Sequence, residues 1–318
     1  MDNVVIFSLT SNKKLTQEIV NILGVEEGKI LVNHFADGEI LIEPQETVRG
    51  KHVFIIQSTC GPVNENLMEV LICLDAVRRA SCKEVTCVMP YFGYARQDRK
   101  AKPRQPITAR LVADLLQAAG ADRVVAVDLH ASQIQGFFKI PSDNLTAMDL
   151  LAQYFRKKKM GEVVVVSPDH GGVTRARKMA DGIDDSTIAI VDKRRSQPNV
   201  AEAMNLIGDV RGKNCIIVDD LVDTGGSLLG CIKMLKEHGA RDVYCAAVHG
   251  VFSNGAIERI ATSGVKEFVI TNTIERTPEE LKDVPNLVIL SVGVLLAKSI
   301  EAIAESKPIS DVYNIFKS

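Results

Sequence analysis

The chain has 318 residues, 46% hydrophobic and 25% charged, a globular composition long enough for two domains with a core each. A formal net charge of −2 gives no support for a nucleic-acid or membrane surface, and the longest apolar candidate span, 287–297, is too short for a bilayer and contains Ser291 and Gly293. The start lacks a basic n-region with an apolar stretch behind it, and seven cysteines without a CxxC pair suit a reducing compartment, so a cytoplasmic protein is expected.

Residues 4–7 read as a short buried strand, and 14–23 as the helix after it, stopped by Gly24. Asn33-His34-Phe35-Ala36-Asp37-Gly38-Glu39 interrupts two apolar runs, and periodicity alone makes it a hairpin turn. A strand is expected at 53–56, a helix at 66–79 with Leu67, Val70, Leu71 and Leu74 inward, and a strand at 85–89. The segment leaving that strand changes character. Aromatics come first, then the cations Arg96, Arg99, Lys100, Lys102 and Arg104, punctuated by Pro103 and Pro106. No apolar periodicity anchors it, so a mobile loop is expected. A solvated charge run is usually inert, but this one leaves a strand end, where open α/β sheets bind ligands, and a polyphosphate is what it would close over.

A helix at 108–119, ended by Gly120, leads to a strand at 124–130 that carries Asp128 and His130. Two residues apart on an extended chain, they would share one face and suit a hard cation or a phosphate. A lone histidine is more often a hydrogen-bonded core residue. The run from Gly120-Ala121-Asp122-Arg123-Val124 to His130 has the spacing of Gly239-Ala240-Arg241-Asp242-Val243 to His249, which points to two α/β domains of similar build.

In the second half a helix is expected at 145–159 and a strand at 163–166. Ser167-Pro168-Asp169-His170-Gly171-Gly172-Val173 is a glycine-rich turn holding an acid, and the helix after it carries Arg175, Arg177 and Lys178. A strand at 188–191 ends on Asp192-Lys193-Arg194-Arg195. Such cations commonly mark a solvated loop; in a phosphate-handling domain they would meet a transferring phosphoryl group. Strands at 243–248, 268–271 and 287–290 and a helix at 295–304 follow, and the tail 306–318 has no periodicity.

The most informative stretch is 215–240. An apolar run at 215–218 is followed by Asp219 and Asp220, then by a turn, Leu221-Val222-Asp223-Thr224-Gly225-Gly226-Ser227. A helix follows with Leu228, Leu229, Ile232 and Leu235 on one face and Gly239 as its stop. Strand, glycine turn and helix start place free backbone N–H groups around an anion. Gly225 and Gly226 let the chain close on it, and Thr224 and Ser227 add hydroxyls. Two or three carboxylates beside that cradle would repel a bare phosphate. They suit a ligand with a phosphate at one end and hydroxyls, or a bound Mg²⁺, at the other, as in ribose 5-phosphate. The plain alternative is an ordinary βα turn with the acids as caps. No Walker loop, G-x-G-x-x-G fingerprint, zinc-type Cys/His cluster or G-x-S-x-G nucleophile occurs, so any ATP would be held without a P-loop.

VDDLVDTGGS, from Val218, resembles the phosphoribosyl-binding loop of the type I phosphoribosyltransferase fold. With FADGE from Phe35, YARQDRK from Tyr94, DLHASQIQGFF from Asp128, SPDHGG from Ser167 and DKRR from Asp192, essentially the whole chain resembles the ribose-phosphate diphosphokinase (PRPP synthase) family. The resemblance is closest to its class I members, regulated by phosphate and ADP. It implies an α/β fold of two similar phosphoribosyltransferase-like domains, each a mostly parallel sheet flanked by helices, with spans 1–146 (plus the tail 303–318) and 147–302. It implies an enzyme that transfers the β,γ-diphosphoryl group of MgATP to the C1 hydroxyl of ribose 5-phosphate, giving PRPP and AMP for nucleotide biosynthesis. A homohexamer with inorganic phosphate as activator is implied as well.

The family's roles fall on named positions. Lys193 and Arg195 match its catalytic basic pair. Arg96, Gln97, Asp98 and Arg99 would hold ATP, with Phe35, Asp37, Gly38 and Glu39 reaching it from a neighbouring subunit. His130 and Asp169 match Mg²⁺-associated positions. Asp223, Thr224, Gly225, Gly226 and Ser227 would hold the 5-phosphate; Asp219 and Asp220 would hold the ribose hydroxyls, partly through Mg²⁺, and Arg195 adds to this site. Arg49, Ser81, Arg104, Gln135 and Ser310 are the candidate effector residues. Small departures from the common pattern are Ala36, His170 and Ser227. A phosphoribosyltransferase would share the loop without needing RQDRK or DKRR. A non-catalytic regulatory relative would more readily have lost the basic pair or His130.

Overall fold

Buried runs of valine and isoleucine, closed by glycine or acid, set the strands of this chain. The computed structural model describes residues 1, 3–194 and 203–316. The first half contains β1 (Val4–Ser8), α1 (Lys13–Leu23), β2 (Ile30–His34), β3 (Ile40–Pro44), β4 (His52–Ile56), α2 (Val63–Arg79), β5 (Glu84–Met89), α3 (Thr108–Ala119), β6 (Arg123–Val127) and β7 (Ser142–Leu145). The second half contains α4 (Met148–Lys157), β8 (Val163–Ser167), α5 (Val173–Asp181), β9 (Thr187–Arg194), β10 (Ala203–Ile207), β11 (Asn214–Val222) and α6 (Gly226–Glu237). It closes with β12 (Asp242–Gly250), α7 (Ala256–Ala261), β13 (Glu267–Thr271), α8 (Pro278–Leu281), β14 (Leu287–Leu290) and α9 (Gly293–Ala304).

The chain divides into two compact units. The first comprises Met1–Thr146, Thr273–Glu275 and Ser291–Ile315; the second comprises Ala147–Asn272, Arg276–Leu290 and Phe316. The first holds a five-stranded parallel sheet in the order β1-β4-β5-β6-β7, with β2 and β3 as a separate antiparallel hairpin. Its core gathers Phe7, Ile55, Leu74, Val85 and Leu116. Helix α1 starts where the Asn12 side chain accepts a bond from the Leu15 N–H and stops at left-handed Gly24. Helix α9 packs against α1. There Ser291 Oγ donates to Glu18 at 2.5 Å, and a Cβ on Gly293 would lie 2.6 Å from the Glu18 carboxyl carbon. These contacts put 291–302 in the first unit, whereas the expected span 147–302 assigns that stretch to the second.

The second unit holds a seven-stranded sheet in the order β10-β9-β8-β11-β12-β13-β14, parallel except for β10. The chain runs outward from β8 to β9 and β10, then returns to the other side of β8 for β11, and ligands of open α/β sheets bind at such a reversal. Val164, Val166, Ile217, Leu235, Cys245 and Ile270 belong to its core. Both units follow one element order: strand, helix, two antiparallel strands, strand, helix, strand. They differ in that β2–β3 stands apart from its sheet while β10–β9 joins its own.

That order pairs β5 with β12, so the sequence echo, which sets β6 against β12, is one βα step out of register. The shared letters reflect a capping solution instead. Gly120 and Gly239 both follow a helix in the left-handed region, at φ 108° and 82°, and both lead into a buried strand. Strands β7 and β10 and the short helices α7 and α8 carried no legible signal. Among the described residues no helix is long and apolar enough to cross a membrane. All seven cysteines are free and buried.

Phe155 is 1% exposed and packs edge-on against Tyr154 and Tyr244 at centroid distances of 5.3 and 5.9 Å. Phe155→Ala is expected to lower unfolding stability by about 3–5 kcal/mol, read by chemical denaturation. A loss below about 1 kcal/mol would show that this aromatic cluster does not hold the second unit.

Candidate active site

The site of the second unit grows from the length of one strand. Residues Cys215–Val218 of β11 are fully buried in the middle of the sheet, with β12 paired along all four and β8 along the first three. The β8 pairing ends at Ile217, while the β12 pairing continues to Val222. The last residues of β11 therefore have one open edge, and Asp219 and Asp220 lie there, on the strand and not after it as the residue pattern suggested. Their carboxylates share one partner: Arg175 of α5 donates through Nη1 to Asp219 Oδ1 at 2.8 Å and through Nη2 to Asp220 Oδ1 at 2.9 Å. Asp219 Oδ1 also accepts from the Asp220 N–H at 2.9 Å. Burial, with the neighbouring Asp220 charge added, pushes the Asp219 carboxyl up to about 7, against the opposing pull of Arg175.

Past the acids the chain turns into α6. Gly225 stands at φ 74°, where a side chain is strained, and a Cβ there would lie 3.3 Å from Ile260 Cδ1. Its carbonyl accepts the first helical bond, from the Leu229 N–H at 2.9 Å, and Arg259 Nη2 braces the turn by donating to the Thr224 carbonyl at 2.8 Å. Thr224, Gly226 and Ser227 are exposed and the first turn of α6 has no acidic side chain, so its unpaired N–H groups face a pocket of about 180 Å³ lined by Asp219 and Leu221–Leu228. One end of this pocket is an anion cradle and the other is acidic.

The neighbouring strand ends add to this edge. After β8, Asp169 is exposed; its Oδ1 accepts from the Gly172 N–H at 2.9 Å, and Ser167 Oγ donates to its carbonyl at 2.6 Å. His170 Nε2 lies 2.8 Å from Asp192 Oδ1, a tie between the ends of β8 and β9 that the residue pattern did not signal. Lys193 follows on β9, with its backbone opposite Met204. The Lys193 side chain and the whole of Arg195 lie outside the described residues.

In the first unit, Phe35, Asp37, Gly38 and Glu39 form the turn between β2 and β3, closed by Phe35 N–H to Glu39 O at 2.8 Å. Phe35 is 54% exposed, unusual for a large apolar side chain. The cationic segment 96–106 has no helix or strand. Gln97 accepts from Thr108 Oγ1 at 2.5 Å, and Asp98 accepts from Gln133 Nε2 at 2.6 Å. Arg96, Arg99 and His130 are exposed. The expected shared face of Asp128 and His130 does not form. The chain leaves the strand at Val127 and turns at Asp128, φ 40°, where the Asp128 carboxylate accepts from Thr146 Oγ1 at 3.1 Å. Among the candidate effector residues, Arg49 Nη1 donates to Ser81 Oγ at 3.3 Å. Arg104 has φ 68°, Gln135 donates to the Ser132 carbonyl, and Ser310 donates to Asp311. A further trio, His34, Glu65 and Glu69, has donor atoms within 4.8 Å of one another, but Thr10 and Gln57 bond the Glu69 carboxylate, a structural use.

Two family models match the chain. The N-terminal domain of ribose phosphate pyrophosphokinase matches residues 4–120, and the phosphoribosyl transferase domain matches residues 139–285. The chain is 53% identical over 309 residues to ribose-phosphate pyrophosphokinase of Bacillus caldolyticus, covering 97% of each. The chain belongs to the ribose-phosphate pyrophosphokinase family. The pyrophosphokinase of Bacillus subtilis is 52% identical over 312 residues, covering 98% of each chain. The crystal structure of phosphoribosylpyrophosphate synthetase from Mycobacterium smegmatis matches with a TM-score of 0.91 and 43% identity, over 96% of this chain and 99% of that one. As a member of this pyrophosphokinase family the chain is an enzyme of two α/β domains, one of them of phosphoribosyltransferase type.

Two outcomes check this geometry. Gly225→Ala is expected to destabilise by roughly 1 kcal/mol from its left-handed backbone and to weaken phosphate-ester binding about tenfold or more. Wild-type affinity for a phosphate monoester, by calorimetry, would remove this turn from anion binding. For Asp219 the sign follows from its raised folded-state pKa. The contribution is fully present below the unfolded value near 4 and is lost as pH rises through about 7. Melting curves of the metal-free chain should therefore show Asp219→Asn gaining on wild type from pH 4 to pH 8. Parallel profiles would mean that this carboxyl is not held protonated by its surroundings.

Proposed function

We propose that the chain transfers the β,γ-diphosphoryl group of MgATP to the C1 hydroxyl of ribose 5-phosphate, giving PRPP and AMP for nucleotide biosynthesis. One observation carries the reading: a glycine-turn anion cradle with an adjoining aspartate pair at the strand-order reversal, in a chain of the pyrophosphokinase family. Asp223, Thr224, Gly225, Gly226 and Ser227 take the 5-phosphate on the α6 N–H groups and the two hydroxyls. Asp219 and Asp220 accept from the ribose hydroxyls, which orients the C1 hydroxyl away from the cradle. Arg96, Gln97, Asp98 and Arg99 hold the nucleotide on the first unit. The exposed ring of Phe35, with Asp37, Gly38 and Glu39, supplies a face for the adenine of a neighbouring subunit in a homohexamer.

The donor set suits Mg²⁺, a hard cation that takes few protein carboxylates and keeps its waters. Asp169 offers an exposed carboxylate and His130 an exposed imidazole, and the crowded charge at Asp219 and Asp220 is what a cation would relieve. Bound with ATP, Mg²⁺ supplies charge neutralisation at the phosphates. Lys193 and Arg195 stabilise the negative charge on the transferred group, and so act mainly in the transition state. Inorganic phosphate activates and ADP inhibits at the Arg49–Ser81 face, with Arg104, Gln135 and Ser310 contributing. The buried free thiols suit work in the reducing cytoplasm.

Incubation with ribose 5-phosphate, MgATP and phosphate, with no nucleobase, is expected to yield AMP and PRPP in equal amounts. ADP as the stoichiometric product, or no reaction until PRPP and a base are supplied, would overturn the reading. Lys193→Ala is expected to cut turnover by roughly a thousandfold or more while ribose 5-phosphate binding stays near wild type. Near-normal turnover would take Lys193 out of the mechanism.

A further inference from the structure

The glycine that lets the chain close on an anion also lets it open again. Glycine accepts either sign of φ at little cost, so the peptide joining Thr224 to Gly225 can flip unless something outside the turn holds it. The segment 251–260 holds it. The Val251 and Phe252 N–H groups both donate to the Val222 carbonyl at the end of β11, at 2.9 and 3.0 Å. The guanidinium of Arg259 then spans three carbonyls: Nη2 donates to Thr224 at 2.8 Å and to Asn254 at 3.2 Å, and Nε donates to Gly255 at 3.2 Å. This segment has Phe252, Asn254 and Gly255 in the left-handed region, at φ 54°, 56° and 67°, and for a phenylalanine that backbone is strained. Arg276, 10% exposed, keeps it in place. It donates to the Gly250 and Val251 carbonyls at 2.7 and 3.2 Å and lies 5.4 Å from the centre of the Phe252 ring.

We propose that Arg259 is a positioning residue that keeps the Gly225 N–H turned toward the bound phosphate. The carbonyl and N–H of a trans peptide point in opposite directions, so drawing the Thr224 carbonyl toward α7 turns the Gly225 N–H away from α7. Away from α7 is toward the pocket: among the described residues it is lined by Asp219 and 221–228 and by none of 251–261. Flipped, the same peptide would set a carbonyl oxygen, with its partial negative charge, against the phosphate. Arg259 thus acts through the backbone and not on the ligand. This role rests on the phosphate reading of the turn. The 5-phosphate is remote from the C1 hydroxyl and is held alike before and during transfer, so loss of the clamp raises KM and spares kcat. Arg259 is exposed, and its removal opens no cavity in the core.

The test uses the full chain with two substitutions, Arg259→Ala and Arg259→Lys. Ribose 5-phosphate binding is read by calorimetry, KM and kcat by steady-state kinetics, and the 224–225 peptide in a crystal structure of the ligand-free variant. Arg259→Ala is expected to bind ribose 5-phosphate at least roughly tenfold weaker, with its KM raised to match. Its kcat should stay within about threefold of wild type and its KM for ATP within about twofold. The 224–225 peptide should be flipped or occupy two orientations. Arg259→Lys offers a single ammonium in place of the fork and is expected to fall between, about threefold weaker. General damage to the fold would lower kcat and ATP affinity as well, so the split separates positioning from structure. Wild-type affinity in Arg259→Ala, or a fall in kcat without a rise in KM, overturns the proposal. Weaker binding with the peptide unmoved also overturns it, because Arg259 would then act on the phosphate directly. If Arg259→Ala does not fold, Arg259→Lys decides alone, and wild-type affinity there removes the role. A wild-type chain that binds no ribose 5-phosphate overturns the phosphate reading itself. Normal wild-type binding with unaltered variants overturns only the role of Arg259.

Discussion

Two carboxylates at the end of a buried strand impose the constraint around which the second unit is built. The strand has to be buried to hold its end still, and burial is what makes adjacent charges costly. Three features reconcile the demands. β11 outruns β8, so Asp219 meets solvent on one edge while Asp220 stays buried; Arg175 supplies a cation to both; and the α6 N-terminus is set off by the Gly225 turn, so the positive helix end and the negative pair do not cancel. The reversal of strand order between β8 and β11 opens the crevice. Without it a further strand end would crowd the same edge.

The first unit shows what the same element order becomes when the charge is withdrawn. Its connection from β4 to α2, which occupies the place of the β11–α6 turn, reads Gln57-Ser58-Thr59-Cys60-Gly61-Pro62, with no acid. Gln57, Ser58 and Thr59 are buried and bonded: Gln57 donates to Glu69, Ser11 donates to Gln57, and Ser58 Oγ donates to the Thr273 carbonyl. The polar groups point inward and satisfy one another, which rigidifies the connection and leaves no cradle. Similar folds thus carry an open glycine turn at a helix N-terminus in one unit and an internal network in the other, so the two units differ in the turn and not in the sheet.

Local chemistry explains what could be read from residues. Helices α1, α3 and α6 were visible through their apolar faces and through Gly24, Gly120 and Gly239, and the buried strands through their valine and isoleucine runs. The cradle residues could be named because glycines and hydroxyls cluster within five positions. Other features were not local. Whether Asp219 and Asp220 extend β11 or begin a turn depends on β12, which pairs with Asp219 and Leu221 from about 28 residues away. The departure at Asp128 is tied to Thr146, and the short strand β10 pairs with β9. Arg175 was visible as one cation among three on α5. Its partners lie 44 and 45 positions downstream, a separation that no spacing rule covers.

The site residues also run against stability, and the location of the compensation follows from that. Gly225 is held in a left-handed conformation, and Asp219 is held where its ionised form is disfavoured. Neither condition would persist in a loose frame. The frame is supplied by strands with almost no polar side chains in their paired lengths: β8 is valine until Ser167, β11 is apolar from Cys215 to Val218, and β12 is apolar from Val243 to Val248. Burial of such side chains stabilises by about 1.5–3 kcal/mol each, so several together outweigh the roughly 1–3 kcal/mol that one strained backbone position costs. The three central strands therefore serve the chemistry indirectly: they are rigid and apolar so that the few residues at their ends can remain strained and charged.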